Sequence, residues 1–514
     1  MGMESGDAQL PLLHHQASAS NQHYTKPPFN WKAPALILAF EFLESIAYAG
    51  ISLNLVVYLG TVLHGTTASN AANVDTWNGT TFLTPVLGAF LADTYWGKYK
   101  TIAISTVFYL IGLLVITASA VIPSLQPAPC NGSSCPPATG FQYFVFFTAL
   151  YLISVGTGGV KSALLPFGAD QYNDSNLEER TPVYKVQLPS GSPLKSVVMV
   201  FVASFKKRKL EVPADNALLY EGDDADLSNG QSVKLAHTDG FRWLDKAAVV
   251  FEEVEEINKD EGGGGGWLQC SVTQVEEVKI LLRMLPIWVT SVLYAASLGQ
   301  TATTFVQQGN AMNTKIGSFS VPAASLNSAE VIFMMIWVVF QDTVVVPIAR
   351  RYTGNPAGLT QLQRMGVGRL LAVPALAVAA VLETWRLRSV RDGGNLSIAW
   401  QLPQFVILAC SDVFCGIAQL EFFYSEAPVS MRSLCSAFSF LALSLGYYVN
   451  SLVVSIVAVV TTTSNKGWLP ADLNDGHLDY YFWLWTGISA INFVVYAAFA
   501  KNYTVKRLAV PHSH

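Results

Sequence analysis

Apolar blocks of membrane-spanning length recur ten times along the chain, at residues 34–59, 77–96, 101–122, 141–161, 280–306, 326–349, 366–384, 401–424, 433–461 and 479–500. A hydrocarbon core about 30 Å thick takes about 20 helical residues to cross, and it offers no water to unpaired backbone groups. Each block therefore reads as a transmembrane helix, and the chain as an all-α membrane protein. Composition agrees: 51% of the 514 residues are hydrophobic and only 13% are charged, against about 25% charged in soluble proteins. A net charge of −5 excludes nucleic-acid binding by bulk electrostatics, which needs a basic footprint.

The charges are unevenly placed. About half of all Asp, Glu, Lys and Arg lie between residues 162 and 280. This divides the chain into a tail (1–30), a four-span bundle (31–172), a polar segment (173–279), a six-span bundle (280–500) and a second tail (501–514). The first 30 residues have no apolar core, so no cleavable signal is expected there. Lys and Arg in short loops favour the cytoplasm. Lys26, Lys32, Lys98, Lys100, Arg350, Arg351, Arg364, Arg432, Lys501, Lys506 and Arg507 fall on one side if spans alternate, which puts both termini inside. Arg386, Arg388 and Arg391 fall on the other side and are the exception to the rule. In the polar segment, residues 194–209 pattern as an interfacial helix with Val197, Val198, Val200, Phe201 and Phe205 before a basic end.

Cys410, Cys415 and Cys435 sit in or beside apolar blocks and read as packing residues. Cys130 and Cys135, in a loop rich in Pro and Gly, suit a short disulfide if that loop is external. Asn131 and Asn395 begin glycosylation-compatible tripeptides on the external side; the tripeptide is also common by chance. No histidine lies inside an apolar block, which leaves haem or di-iron membrane chemistry without ligands. Gly156-Thr157-Gly158-Gly159-Val160-Lys161-Ser162 has the outline of a phosphate loop, but Val occupies 155 and 160 where that loop needs Gly.

An ionisable group inside a span costs about 2.5–3.5 kcal/mol on insertion scales, so each one requires a reason. Glu41 and Glu44 share one face of the first span. The bland alternative is a boundary pair reaching water. Lys161 closes the fourth span after glycines that permit close helix contact; its alternative is a lysine snorkelling to the interface. Asp412 and Glu421, nine residues apart in one span, point to nearly opposite faces, so one should line a cavity and the other lie near the cytoplasmic end. Acidic groups in both bundles around a shared cavity suggest a proton-coupled transporter.

At these residues the chain resembles the plant nitrate transporter/peptide transporter family, proton-coupled oligopeptide transporters of the major facilitator superfamily. The resemblance rests on Gly88-Ala89-Phe90-Leu91-Ala92-Asp93-Thr94-Tyr95-Trp96-Gly97-Lys98-Tyr99, on Gly156 to Lys161 followed by Phe167-Gly168-Ala169-Asp170-Gln171-Tyr172, and on Gln419-Leu420-Glu421-Phe422-Phe423-Tyr424 with Ala427-Pro428 and Met431-Arg432-Ser433. It implies two bundles of major-facilitator type and alternating access. It also implies proton coupling at Glu41, Glu44 and Lys161, and substrate contacts at Tyr48, Lys161, Gln300 and Asp412. Gating or structural roles would fall to Gly88, Asp93, Gly97, Lys98 and Glu421. The general pattern looks closest to the di- and tripeptide branch, with a proton gradient rather than a cofactor as driving force. The expected partners are a small solute and the lipid bilayer.

Three departures stand against the family pattern. Ser45 replaces the cation after the second glutamate, and Ala49 replaces the second of two adjacent tyrosines. Only about 16 residues separate Tyr172 from Pro189, too few for one span, where the family has a helical hairpin, spans five and six. The ten spans then correspond to family spans 1–4 and 7–12. The competing reading is a transport-incompetent isoform or a regulator; a membrane enzyme lacks any nucleophile or histidine constellation. Where one nitrate-binding branch has a seventh-span histidine, the matching Ser297-Leu298-Gly299-Gln300 has none.

Overall fold

The computed structural model describes residues 32–128, 136–170, 193–210, 212–213, 219–220, 235–249, 270–354, 358–427, 432–462 and 467–503. The first tail, Cys130, Cys135, Asn131 and the Gly262–Gly266 run lie outside them, whereas Asn395 is exposed in a loop.

The first bundle comprises α1 (Lys32–Thr61), α2 (Thr67–Leu91), α3 (Lys98–Val121) and α4 (Gly140–Asp170). After α5 (Pro193–Lys206) and the short α6 (Arg242–Asp245), the second bundle runs through α7 (Val272–Leu298), α8 (Thr304–Asn310), α9 (Leu326–Phe340), α10 (Val346–Thr353), α11 (Gln361–Arg391), α12 (Leu402–Glu426), α13 (Arg432–Thr462) and α14 (Leu478–Lys501). A two-stranded hairpin, β1 (Lys315–Ile316) and β2 (Phe319–Ser320), lies between α8 and α9. α9 and α10 are joined by a π-helical turn and cross as one rod. The ten expected spans thus correspond to ten long rods among the described residues. Nine of them are long and apolar enough to cross a membrane. α2 falls short because it carries Asn70, Asp75, Asn78 and Thr81, all buried. These polar residues also hid its first ten residues from a hydropathy reading, which starts the span at 77. Hydropathy likewise starts the fifth span at 280, whereas α7 begins at Val272, capped by a reciprocal Ser271–Gln274 box.

The early start of α7 is the anchor of the intervening segment. Val200 and Ala203 of α5 pack with Leu244, Ala247 and Ala248 on Val272, Val275 and Val278. Lys279, fully buried, reaches Asp245 at 2.6 Å and Glu276 at 2.8 Å. The Lys207 ammonium donates to the carbonyls of Ala247 and Val249 at 3.2 and 2.7 Å. Burial lowers the Lys207 pKa and pushes the Cys270 thiol up to about 11. Cys410 and Cys415 are buried packing residues in α12; the Cys435 side chain lies outside the described residues.

Arg386, one of the three exceptional arginines, is also explained. Its guanidinium is fully buried and grips Glu383, one turn earlier on α11, through Nε at 2.9 Å and Nη2 at 2.7 Å. Nη1 donates to Asn474 at 2.6 Å. A positive charge cancelled inside the fold does not count in a loop-charge rule.

The bundles meet along one half of their length. α2 turns one polar face toward α13: Thr76 bonds Ser451 at 2.9 Å, Thr80 bonds Tyr448 at 2.8 Å, and Ser451 donates to the Ala72 carbonyl at 2.9 Å. At the tip, Gln307 of α8 donates to the Thr67 carbonyl at 2.9 Å.

Candidate functional site

Away from that seam each bundle presents a wall that carries ionisable groups inside its spans. On the first wall, Glu44 projects from α1 and Lys161 from α4, 3.7 Å apart. Glu44 is buried, yet neither of its oxygens meets a donor at hydrogen-bonding distance among the described residues. The Lys161 ammonium sits 4.6 Å above the Tyr48 ring, a cation–π contact. Tyr48 is fixed by its hydroxyl on Asn78 at 3.0 Å and by stacking on Trp77 at 5.7 Å. Its edge meets Phe82, which stacks on Tyr447 of the other bundle at 5.7 Å. An aromatic bridge therefore joins the two walls.

The glycine run of α4 makes this approach possible. A Cβ on Gly88 would lie 2.7 Å from Ser162 Oγ and 2.9 Å from the Gly158 carbonyl, so α2 and α4 are in backbone contact just where Lys161 emerges. The outline of a phosphate loop is a helix-packing seam.

On the second wall, Asp412 of α12 and Glu330 of α9 line a cavity of about 480 Å³. Its described lining belongs wholly to the second bundle and includes no Lys, Arg or His. Glu330 went unnoticed in the sequence, although an acid inside the 326–349 block was signal enough.

The remaining expected residues have other places. Glu41 shares the α1 face but forms no ion pair with Lys161 among the described residues, and Ser45 is exposed. Gln300 is fully buried away from the cavity wall. Its amide nitrogen donates to Asn450 at 2.7 Å and its oxygen accepts from Thr304 at 2.7 Å. Asn450 in turn donates to Asp75 at 2.7 Å and accepts from Tyr481 at 3.0 Å. Asp75, two residues before the expected start of its span, belongs to this inter-bundle network, and its Oδ1 has no partner. Asp93 lies in the π-helical turn Ala92–Trp96; its side chain lies outside the described residues. Gly97 ends that turn at φ 74°, a conformation that favours glycine, and Lys98 opens α3. Glu421 faces away from the cavity and pairs with Arg364 of α11 at 2.8 Å. Of the two acids on α12, Asp412 is thus the cavity residue. Arg369, also unforeseen, is buried under Tyr496 and donates to Thr290 and Ser291 at 3.0 and 2.6 Å.

A family model described as "POT family" matches residues 99–182 and 180–469. The chain belongs to the POT family. Its relatives include Protein NRT1/PTR FAMILY 8.3 of Arabidopsis thaliana, 42% identical over 93% of this chain and 92% of that protein. Protein NRT1/PTR FAMILY 8.5 of the same plant is 40% identical over 94% of this chain and 92% of that one. Among solved structures, an auto-inhibited POT family peptide transporter superposes with a TM-score of 0.63 at 21% identity, over 94% of this chain and 98% of that one. This POT chain is therefore an integral, multi-pass membrane protein of a transporter family with major-facilitator-type bundles. The 542-position alignment with the first relative takes up 93% of this chain, so about 60 of its positions find no residue here. The family match breaks at 180–182, where the sequence lacks room for the hairpin.

Proposed function

We propose that this protein is a proton-coupled symporter of di- and tripeptides working by alternating access. The observation that carries the reading is the pair Glu44–Lys161, 3.7 Å apart with carboxylate oxygens unmet among the described residues, together with an acidic wall at Asp412 and Glu330 in the other bundle. A half-satisfied acid–base pair can exchange partners at low cost: a proton on Glu44 frees the Lys161 ammonium for a substrate carboxylate. Asp412 is then placed to take the substrate amine. With both termini cytoplasmic, the seam from Thr67 to Tyr448 closes the external side and the cavity faces inward. Family membership supports transport as the activity, and the likeness to a peptide transporter supports the substrate class.

The test is uptake of a labelled dipeptide by proteoliposomes of the purified full chain under an inward proton gradient. Accumulation that collapses with a protonophore is expected. Binding without any accumulation would instead favour the transport-incompetent reading, for which the missing stretch near residue 180 is the specific motive.

A further inference from the structure

The second wall carries more acidic groups than one substrate amine requires. α9 presents Glu330, Met334 and Val338, one turn apart, to the same cavity that Asp412 enters from α12. Lys161 of the first wall is engaged by Glu44, and the buried Arg369 behind the second wall is engaged by Ser291 and Thr290 at 2.6 and 3.0 Å. Two further groups lining the cavity, Gln419 Oε1 and Ser439 Oγ, on residues 7% and 3% exposed, have no hydrogen-bond partner among the described residues. Three of these four groups are oxygens that accept hydrogen bonds, so the wall calls for a ligand rich in donors. Most of the remaining lining is apolar, Met334, Val338 and Leu298 among it, although Ser291, Thr301 and two tyrosines also contribute; the methylene stem of a lysine or arginine side chain prefers such a surface.

We propose that Glu330 makes this cavity select solutes with a second positive charge, a dipeptide with a basic side chain being the fitting class. The inference deepens the peptide reading and rests on it. A neutral dipeptide brings one ammonium to two carboxyl groups and leaves one without a charged partner in a low-dielectric site. A basic side chain supplies the missing charge and up to five N–H donors. An acidic side chain would add a third negative group.

The experiment is binding of Ala-Lys, Ala-Ala and Ala-Glu to the purified full chain, by thermal-shift titration in detergent, which needs no transport. Ala-Lys is expected to bind at least about tenfold tighter than Ala-Ala, with Ala-Glu weakest. Glu330→Gln should bring the Ala-Lys to Ala-Ala ratio down to about one, while Glu330→Asp keeps the preference. Should Glu330→Gln fail to fold, the ranking in the native chain and in Glu330→Asp still decides. Binding of all three without charge preference, or an equal loss for all three in Glu330→Gln, overturns the inference alone. No binding of any dipeptide overturns the peptide reading beneath it.

Discussion

Each bundle holds a buried acid–base pair, and the two are built differently. Glu383–Arg386 is a one-turn pair within α11: two nitrogens of the guanidinium hold the carboxylate at 2.9 and 2.7 Å, and Gln308 donates to the same carboxylate at 2.9 Å. Glu44–Lys161 joins two helices through one contact at 3.7 Å, with both glutamate oxygens otherwise unmet. A charge pair with every lone pair engaged costs several kcal/mol to disturb, which suits a fixed joint. A pair left half-satisfied is nearly as easily broken as kept, which suits a group that must change partners in each cycle. The same chemistry thus serves architecture in one bundle and exchange in the other.

The sharpest way to break this comparison is Arg386→Leu. It strands Glu383 without a counter-charge and should cost about 3–5 kcal/mol, read as loss of the monodisperse peak on detergent gel filtration or a large fall in thermal midpoint. A midpoint near the native value would show that the fixed joint is not one. Next in size is Asn450→Ala, which deprives Asp75 of its described donor and Gln300 of its acceptor. About 1–3 kcal/mol of stability should go, measurable as a lower midpoint. Lys161→Ala sharpens the other side. It should lower stability by less than Arg386→Leu does, because Glu44 loses a single 3.7 Å contact and can take up a proton in its place, yet abolish gradient-driven dipeptide uptake. Uptake at the native rate by an expressed Lys161→Ala protein would reject the exchange role. Smallest is Arg364→Ala, which removes the surface pair with Glu421. A change within about 1 kcal/mol and ordinary uptake are expected; a fall like that of Arg386→Leu would make the exposed pair structural.

Much of the first wall was legible in the sequence, because a charge in an apolar block is conspicuous. Glu44, Lys161, Tyr48 and Asp412 could be picked out one at a time, and the structure brings the first three into contact. Arg386 was read as a loop charge, and Glu383, three residues before it at the end of the 366–384 block, was not singled out. Asp75 was lost for a different reason. The polar face of α2 lowers its hydropathy, so the rule that finds spans discards the residues that bond one bundle to the other.

The sequence by itself determined the number of crossings, the division into four and six, the polar segment between them and the family. The crossings and their grouping follow from hydropathy, which is additive along the chain and needs no knowledge of neighbours, and the family follows from local motifs. The tertiary structure decided which charges meet. Glu41 and Glu44 are equivalent by spacing, yet only Glu44 is paired with Lys161 among the described residues. Asp412 and Glu421 lie on one helix, yet one enters a cavity and the other a surface pair. Pairing depends on the distance and burial of groups far apart in sequence, 57 residues for Arg364–Glu421, set by how the helices approach one another, as along the glycine seam of α4 and the polar face of α2. No local pattern contains that information.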